Sequence, residues 1–117
     1  MRWAIVLLWF PSVSLADGFE PINSREQFVS FVDGRELRIS WLGLSLNVDA
    51  DGSISGKAMR WPVTGNWTWN NGYFCREMDW SGRPIEYNCQ LVEVRNEREL
   101  RFTVDRGSGE SATLQIR

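Results

Sequence analysis

The chain has 117 residues, with 13 Lys and Arg against 15 Asp and Glu, a formal net charge of −2, and no histidine. This length permits one domain with a small core, and a mildly acidic chain without a basic run argues against nucleic acid and anionic membrane surfaces as partners. Without histidine, the chain lacks the usual acid–base residue and the commonest metal ligand.

Residues 1–16 have the pattern of a signal peptide. Arg2 supplies the positive start, and Trp3–Phe10 is an apolar run too short to span a bilayer. Ser14 and Ala16 then place small residues three and one positions before a cleavage site. The alternative, a buried N-terminal helix or strand, is less favoured because the segment has no polar face. Cleavage after Ala16 predicts a periplasmic or secreted protein with one domain over residues 17–117, in a compartment where disulfides persist.

The segment after this site predicts one helix over Arg25–Asp33. Ser24 as N-cap and Gln27 three residues later form a capping box. Gly34 can end the helix in the left-handed backbone region. The apolar face would consist of Phe28, Phe31 and Val32, which recur at helical spacing.

The rest of the chain predicts strands, because apolar and polar residues alternate between turn signals that recur at intervals of about 8–12 residues. We therefore predict an α+β or mainly β domain, in which the helix packs on a curved antiparallel meander or covers one end of a small barrel. The nearest architecture, by analogy, is the calycin group of lipocalin-like and avidin-like barrels. The predicted strand pieces are Leu37–Trp41, Leu44–Val48, Ile54–Ala58, Val63–Trp69, Tyr73–Trp80, Pro84–Leu91, Leu91–Val94, Leu100–Val104 and Ala112–Ile116, with Trp61 and Pro62 as an interruption.

Both cysteines lie in the central part of the chain. If Tyr73–Trp80 and Pro84–Leu91 pair as a hairpin centred near Gly82, Cys75 lies opposite Cys89, because both are equally far from Gly82 along the chain. Directly opposed residues have Cα atoms about 4.5–5.5 Å apart, which a disulfide accepts. A redox-active pair is the weaker alternative, because the spacing is not C-x-x-C and no neighbouring His or Lys lowers a thiol pKa.

Glu77 and Asp79 are the carboxylates most suited to chemistry, because paired carboxylates can perform acid–base catalysis. The alternative is that they lie near the hairpin tip, solvated or paired with Arg76 or Arg83. Strict alternation predicts that the two acids share a face with Tyr73, Cys75, Ile85, Tyr87 and Leu91.

Tryptophan is abundant beyond residue 16. Exposed indoles would suit sugars or peptides, indoles lining a barrel would suit a small apolar ligand, and otherwise the rings fill the core. Trp67 and Trp69 share a strand face, so we predict that one of them contacts any ligand. The full set of candidate ligand-binding residues is Trp67, Trp69, Trp80, Glu77, Asp79 and Tyr87.

Two short patterns resemble cofactor loops but lack the residues that complete them. Asn47–Ser55 follows the start of an EF-hand loop, yet Ala58 stands where the bidentate Glu is required. Gly107–Ala112 matches G-x-G-x-x-A, but only five residues follow it, too few for the helix and distant acid of a dinucleotide site. We predict turns at both places, and neither a metal nor a cofactor.

Six stretches of the sequence carry a resemblance to a known family. They are GREL (34–37), DGSISG (51–56), WPVTGNW (61–67), GYFCREMDWSG (72–82), YNCQLVEV (87–94) and LRFTVDRGSG (100–109). With them the chain resembles a family of small exported bacterial proteins often labelled dihydrodipicolinate reductase. That label implies a cytoplasmic NAD(P)H enzyme with a Rossmann unit and a substrate domain. Neither is predicted here, so no catalytic residue is carried over.

The sequence thus favours an exported, disulfide-closed, non-catalytic binding or interaction domain. Its partner would be a small molecule, a glycan or a protein, and no integral membrane segment remains after cleavage. The alternatives are a small exported enzyme that uses Glu77 and Asp79, and the reductase that the family label implies.

Overall fold

The computed structural model describes residues 17–117, so the predicted signal peptide lies outside the described residues. Within this range the chain is mostly β, as predicted, with one α-helix. The elements in chain order are β1 (Glu20–Pro21), α1 (Arg25–Val32), β2 (Glu36–Ile39), β3 (Leu44–Val48), β4 (Ser53–Ala58), β5 (Trp61–Asn70), β6 (Tyr73–Trp80), β7 (Arg83–Arg95), β8 (Glu99–Thr103) and β9 (Ser111–Ile116).

The eight strands β2–β9 form a closed antiparallel barrel. Each strand pairs with the next in the chain, and β2 also pairs with β9, which closes the ring. The long strand β7 pairs with β6 through its first part and with β8 through Leu91–Arg95, and β1 adds two residues beside Val94. The pairing of β2 with β9 removes the edges of those two strands, whereas Arg83–Gln90 of β7 pairs with β6 only.

Helix α1 follows β1 and has the predicted cap. The Ser24 hydroxyl accepts a hydrogen bond from the Gln27 backbone N–H at 3.1 Å, and the Gln27 side chain accepts one from the N–H of Asn23. The helix ends at Val32, and Gly34 has a φ of +71°. The capping box and the left-handed glycine therefore fix both ends of the helix.

The apolar face of α1 covers one end of the barrel, here called the helix end. Phe28 and Val32 are fully buried, and the Arg25 guanidinium donates to the Ala50 carbonyl in the β3–β4 turn at 2.5 Å. Because consecutive strands are antiparallel, the β3–β4, β5–β6 and β7–β8 turns all lie at this end. Phe28 anchors the cover through ring contacts, with centroids 5.1–6.3 Å apart, to Trp67, Trp69, Phe74 and Phe102.

The opposite end, here called the open end, carries the other connections. These are residues 40–43, 59–60, 81–82 and 104–110. Between the two ends, one face of each strand forms the core. The core residues contributed by the strands are Leu37, Val48, Ile54, Trp67, Phe74, Val92, Val94, Leu100, Phe102 and Leu114.

Two glycines permit close approach of neighbouring strands. A Cβ on Gly56, whose φ is +150°, would lie 2.0 Å from the Ser45 carbonyl oxygen, and one on Gly65 would lie 2.4 Å from the Glu77 carbonyl oxygen. Only a residue without a side chain fits at either position. Glycines of this kind let a small barrel bend sharply.

The β6–β7 hairpin places the cysteines opposite each other, but its turn and strand register differ from the prediction. Its turn is the two-residue Ser81–Gly82 connection, so Trp80 pairs with Arg83, and without interruption Cys75 would face Asn88. A β-bulge opposes the single residue Glu77 with two residues of β7 and shifts the register by one. Cys75 then pairs with Cys89, and the predicted disulfide is present.

Two predicted strand boundaries are wrong. Trp41 does not continue the alternation of β2, because Ser40–Leu42 forms a 3-10 turn. Trp61 and Pro62 do not interrupt a strand but begin β5, and Pro62 pairs with Lys57. Proline is accepted there because β6 pairs with β5 only from Val63 onward, so no ladder partner on that side needs its N–H.

Candidate functional site

The barrel interior contains an apolar cavity of about 130 Å³ that is partly open to solvent. Its wall is built almost wholly from hydrocarbon, because the inward positions of the alternating strands are aliphatic or aromatic. The lining residues are Leu37, Leu44, Leu46, Val48, Ile54, Phe74, Met78, Gln90, Phe102, Ala112 and Leu114. A dry cavity of roughly this size accepts one benzene-sized molecule.

Gln90 is the one polar side chain in this wall. It is only 7% exposed, and none of the side-chain hydrogen bonds among residues 17–117 involves its amide, but no polar atom of this side chain is both fully buried and without a partner. The cavity therefore presents one donor and one acceptor that nothing in residues 17–117 uses.

The register of β6–β7 places Gln90 in the wall. Cys89 points outward to the disulfide, so its neighbour Gln90 points inward, where it pairs with Phe74. Sequence reasoning missed this residue, although a signal was present. Gln90, Val92 and Val94 alternate on the face opposite Cys89, and Gln90 is the polar member of that set.

The cavity is closed towards α1 and more open towards the other end. The lining residues Phe74 and Val48 near the helix end are buried, whereas Leu44 and Met78 are half-buried and Ala112 is exposed. Two loops beside this opening expose large apolar side chains. These are Trp41, which is 84% exposed, together with Leu42, Met59 and Trp61.

The Met59–Arg60 turn has an unusual backbone. Both residues have positive φ, 50° and 78°, which a two-residue hairpin turn requires but which Asn and Gly adopt far more readily. Its Met59 N–H donates to the Gly43 carbonyl oxygen at 3.1 Å, which holds the turn against the Ser40–Leu42 loop. The two apolar loops are therefore one structural unit.

Trp67 and Trp69 do not form an exposed platform. Trp67 is 3% exposed, its indole N–H donates to the Asp49 carbonyl at 2.8 Å, and the Arg25 guanidinium lies 5.1 Å from its ring centroid. Trp69 is half-buried and stacks on Phe28. Both rings belong to the packing beneath α1, which is the core alternative for these residues; their contact with a ligand stays a prediction.

Trp80 lies at the open end. Its indole N–H donates to the Ala58 carbonyl at 3.0 Å. Together with Trp61, Ser81 and Arg83 it lines a shallow surface pocket of about 370 Å³. This candidate therefore lies beside the exposed apolar loops, away from Trp67 and Trp69.

Glu77, Asp79 and Tyr87 share a groove of about 480 Å³ on the outer wall around the β-bulge. Neither carboxylate forms an ion pair with Arg76 or Arg83 among the described residues. Asp79 accepts a hydrogen bond from the Gly82 backbone N–H at 2.8 Å and thereby stabilises the turn. The other groove residues are Thr64, Gly65, Asn66, Met78, Pro84, Ile85 and Glu86.

The bulge also changes which residues face each other in this hairpin. Ile85 pairs with Met78 and not with Asp79, so it leaves the face that strict alternation gave it. Arg76 is buried and donates to the Glu86 carbonyl oxygen at 2.6 Å. Burial lowers the pKa of this guanidinium, and its bond to the bulged strand makes it a structural residue of the bulge.

An ion-pair network ties the start of the described chain to the barrel. Arg101 bonds Asp17 at 2.7 Å and Glu93 at 2.9 Å, and Arg95 bonds Glu99 at 2.8 Å. The hydrogen bond from Arg101 lowers the pKa of Asp17, and the one from Arg95 lowers the pKa of Glu99. This network lies on the outer wall near the helix end and serves stability.

Within residues 17–117, no three His, Cys, Asp or Glu side chains come together in a way that could hold a metal ion. In the same part of the chain no helix has the length and apolarity needed to cross a membrane. The comparisons with known proteins found no matching family model, no similar curated protein and no similar solved structure.

Proposed function

We propose that this protein is an exported, non-catalytic binding protein that takes a small, mainly apolar molecule into its barrel. The observation that carries the proposal is Gln90, the one polar side chain in a hydrocarbon-lined cavity and 7% exposed. A ligand with one hydrogen-bonding group would satisfy this amide, while its apolar part would fill the space beside Phe74 and Phe102.

The architecture supports the same reading. A closed barrel with a covered end and a more open end is the arrangement in which calycin-like proteins hold one small ligand. The comparison with them is an analogy of barrel architecture only. The Cys75–Cys89 bond agrees with an oxidising compartment, which is where the predicted signal peptide would send the chain.

A matched pair of probes tests the proposal. Phenol and toluene have nearly the same shape, but only phenol can hydrogen-bond to Gln90. We expect both to perturb the NMR signals of the cavity residues, and phenol to bind more tightly. Gln90→Met should weaken phenol binding about tenfold, the value of one lost hydrogen bond to a buried group, and should leave toluene binding unchanged or tighter.

A blocking variant supplies the control. Ala112→Leu places extra volume at the mouth of the cavity and should abolish binding of both probes. Thr113→Leu introduces the same side chain at the neighbouring residue, which alternates to the outer face, and should leave binding intact. If neither probe perturbs the cavity signals of the unmodified protein at millimolar concentration, the proposal is wrong.

A further inference from the structure

Among residues 17–117, the most exposed apolar surface lies on two adjacent segments at the open end. We call it the rim, and it consists of Trp41, Leu42, Met59 and Trp61. Trp41 is 84% exposed, Met59 60% and Trp61 59%. Exposed side chains of this size on adjacent loops mark an interaction surface more often than a random scatter of apolar residues does.

The charge around the rim is positive although the whole chain is acidic. Lys57, Arg60 and Arg83 are exposed, and none of them forms an ion pair with a described residue. The segments 37–48 and 52–76, which include both rim loops, contain no Asp or Glu. The net charge of −2 therefore hides a cationic sector that includes both rim loops, while the acidic residues Asp79, Asp105 and Glu110 lie on or next to the other two connections of the open end.

We propose that the rim docks the protein on an anionic phospholipid surface. Tryptophan side chains are favoured at the boundary between headgroups and acyl chains, because one ring combines an apolar body with a polar N–H. Lys57, Arg60 and Arg83 would then lie at the headgroup level and be attracted by the lipid phosphates. The shallow pocket between Trp61 and Arg83 offers a place for one headgroup.

The shape and size of the rim favour a lipid surface over a protein partner. Four side chains on two protruding tips are far fewer than the roughly 20–30 residues that each side contributes to a stable protein interface. Loop tips with a few apolar residues and a border of cations instead match shallow, reversible insertion into a bilayer surface. This docking stands on the rim alone and does not depend on the ligand proposed for the cavity.

Sedimentation with vesicles tests the docking. The experiment uses residues 17–117, which carry the whole described core, the closed barrel and the disulfide, so that the apolar segment Trp3–Phe10 cannot bind the vesicles itself. The vesicles contain equimolar phosphatidylglycerol and phosphatidylcholine, and pure phosphatidylcholine vesicles serve for comparison. We expect binding to the anionic vesicles, with a blue shift of the tryptophan fluorescence.

Two variants separate the apolar and electrostatic parts. The double variant Lys57→Gln, Arg60→Gln should weaken binding to anionic vesicles roughly 25-fold, about fivefold for each cation, and should leave binding to phosphatidylcholine unchanged. The double variant Trp41→Ala, Trp61→Ala should remove the blue shift on both vesicles. Tyr87→Ala, which removes a 57% exposed ring from the outer groove, is the matched control and should bind as the unmodified protein does.

Three outcomes would overturn the proposal. They are absence of binding to the anionic vesicles, an equal loss of binding in Tyr87→Ala, and concentration-dependent dimerisation that Trp41→Ala, Trp61→Ala abolishes, which would assign the rim to a second copy of the chain.

Discussion

Gln90 and Phe74 pair directly across β6 and β7 and face the barrel interior together, one polar and one aromatic. An apolar side chain at position 90 would contribute more to stability, because most of the Gln90 side chain is removed from water and packs on hydrocarbon. Side chains that reduce stability in this way are frequent at binding sites, where activity and stability oppose each other.

The first prediction follows from this cost. Gln90→Met replaces the amide by an apolar side chain of similar length, and it should raise the free energy of unfolding by about 1 kcal/mol. Urea denaturation of the ligand-free protein measures the change. Gln115→Met, on the outer face where the amide donates to Glu99 at 3.3 Å, is the matched control and should be neutral or slightly destabilising. A destabilised Gln90→Met would mean that the amide has a partner in the folded protein.

The second prediction concerns the disulfide. Cys75 and Cys89 are 14 positions apart, and in the chain-entropy model a closed loop of this length stabilises a protein by about 3 kcal/mol. The double variant Cys75→Ala, Cys89→Ala should therefore unfold at clearly lower urea concentration. It should also weaken phenol binding, because the bond fixes the register that points Gln90 inward. Intact mass after alkylation without reductant checks the bond itself, and two reactive thiols in the native protein would contradict it.

The disulfide also shows what the sequence could and could not predict. The cap at Ser24, the Gly34 helix end and the bounds of β6 depend on local chemistry, and each was predictable from neighbouring residues. The pairing of Cys75 with Cys89 was predicted from a hairpin symmetric about Gly82. In the structure it depends on a tighter turn plus a bulge, two differences that cancel.

The remaining features depend on contacts between distant parts of the chain. Nothing in the residues Glu86 and Tyr87 specifies a bulge, because it is set by the neighbouring strands. Met59–Arg60 lacks the Asn or Gly typical of its backbone, so the turn and the exposed rim were not predictable. Gln90 could not be recognised as a site residue from the sequence, because the cavity that it lines exists only in the barrel closed by the pairing of β2 with β9.

The third prediction is a dependence of stability on pH. The hydrogen bond from Arg95 lowers the pKa of Glu99 below its ordinary value of 4.5. The stability from this pair is therefore fully present above about pH 4.5 and is lost as the pH falls through the lower, folded-state pKa. Glu99→Gln should be less stable than the unmodified protein by no more than about 1 kcal/mol at neutral pH, and this difference should shrink under acid conditions.

Glu97→Gln provides the control for this experiment, because it changes an exposed carboxylate of the same hairpin that forms no ion pair with a described residue. Its curve is the reference with which the curve of Glu99→Gln is compared. Denaturant titrations at several pH values give both curves. Parallel curves for Glu99→Gln and the unmodified protein would show that this pair does not contribute to the acid response.

The last prediction separates the core tryptophans from those of the rim. Trp67 packs edge-on against Phe28, with ring centroids 5.2 Å apart, and its N–H is bonded to Asp49, so Trp67→Ala should cost about 3–5 kcal/mol and can prevent folding. Trp61→Ala removes a ring that is mostly in solvent and should change the free energy of unfolding by no more than about 0.5 kcal/mol. Trp69→Ala should lie between them, because that ring is half-buried against α1. Urea denaturation of the three variants measures the order. If Trp67→Ala melts like the unmodified protein yet loses phenol binding, Trp67 is a ligand platform after all, and the core assignment fails.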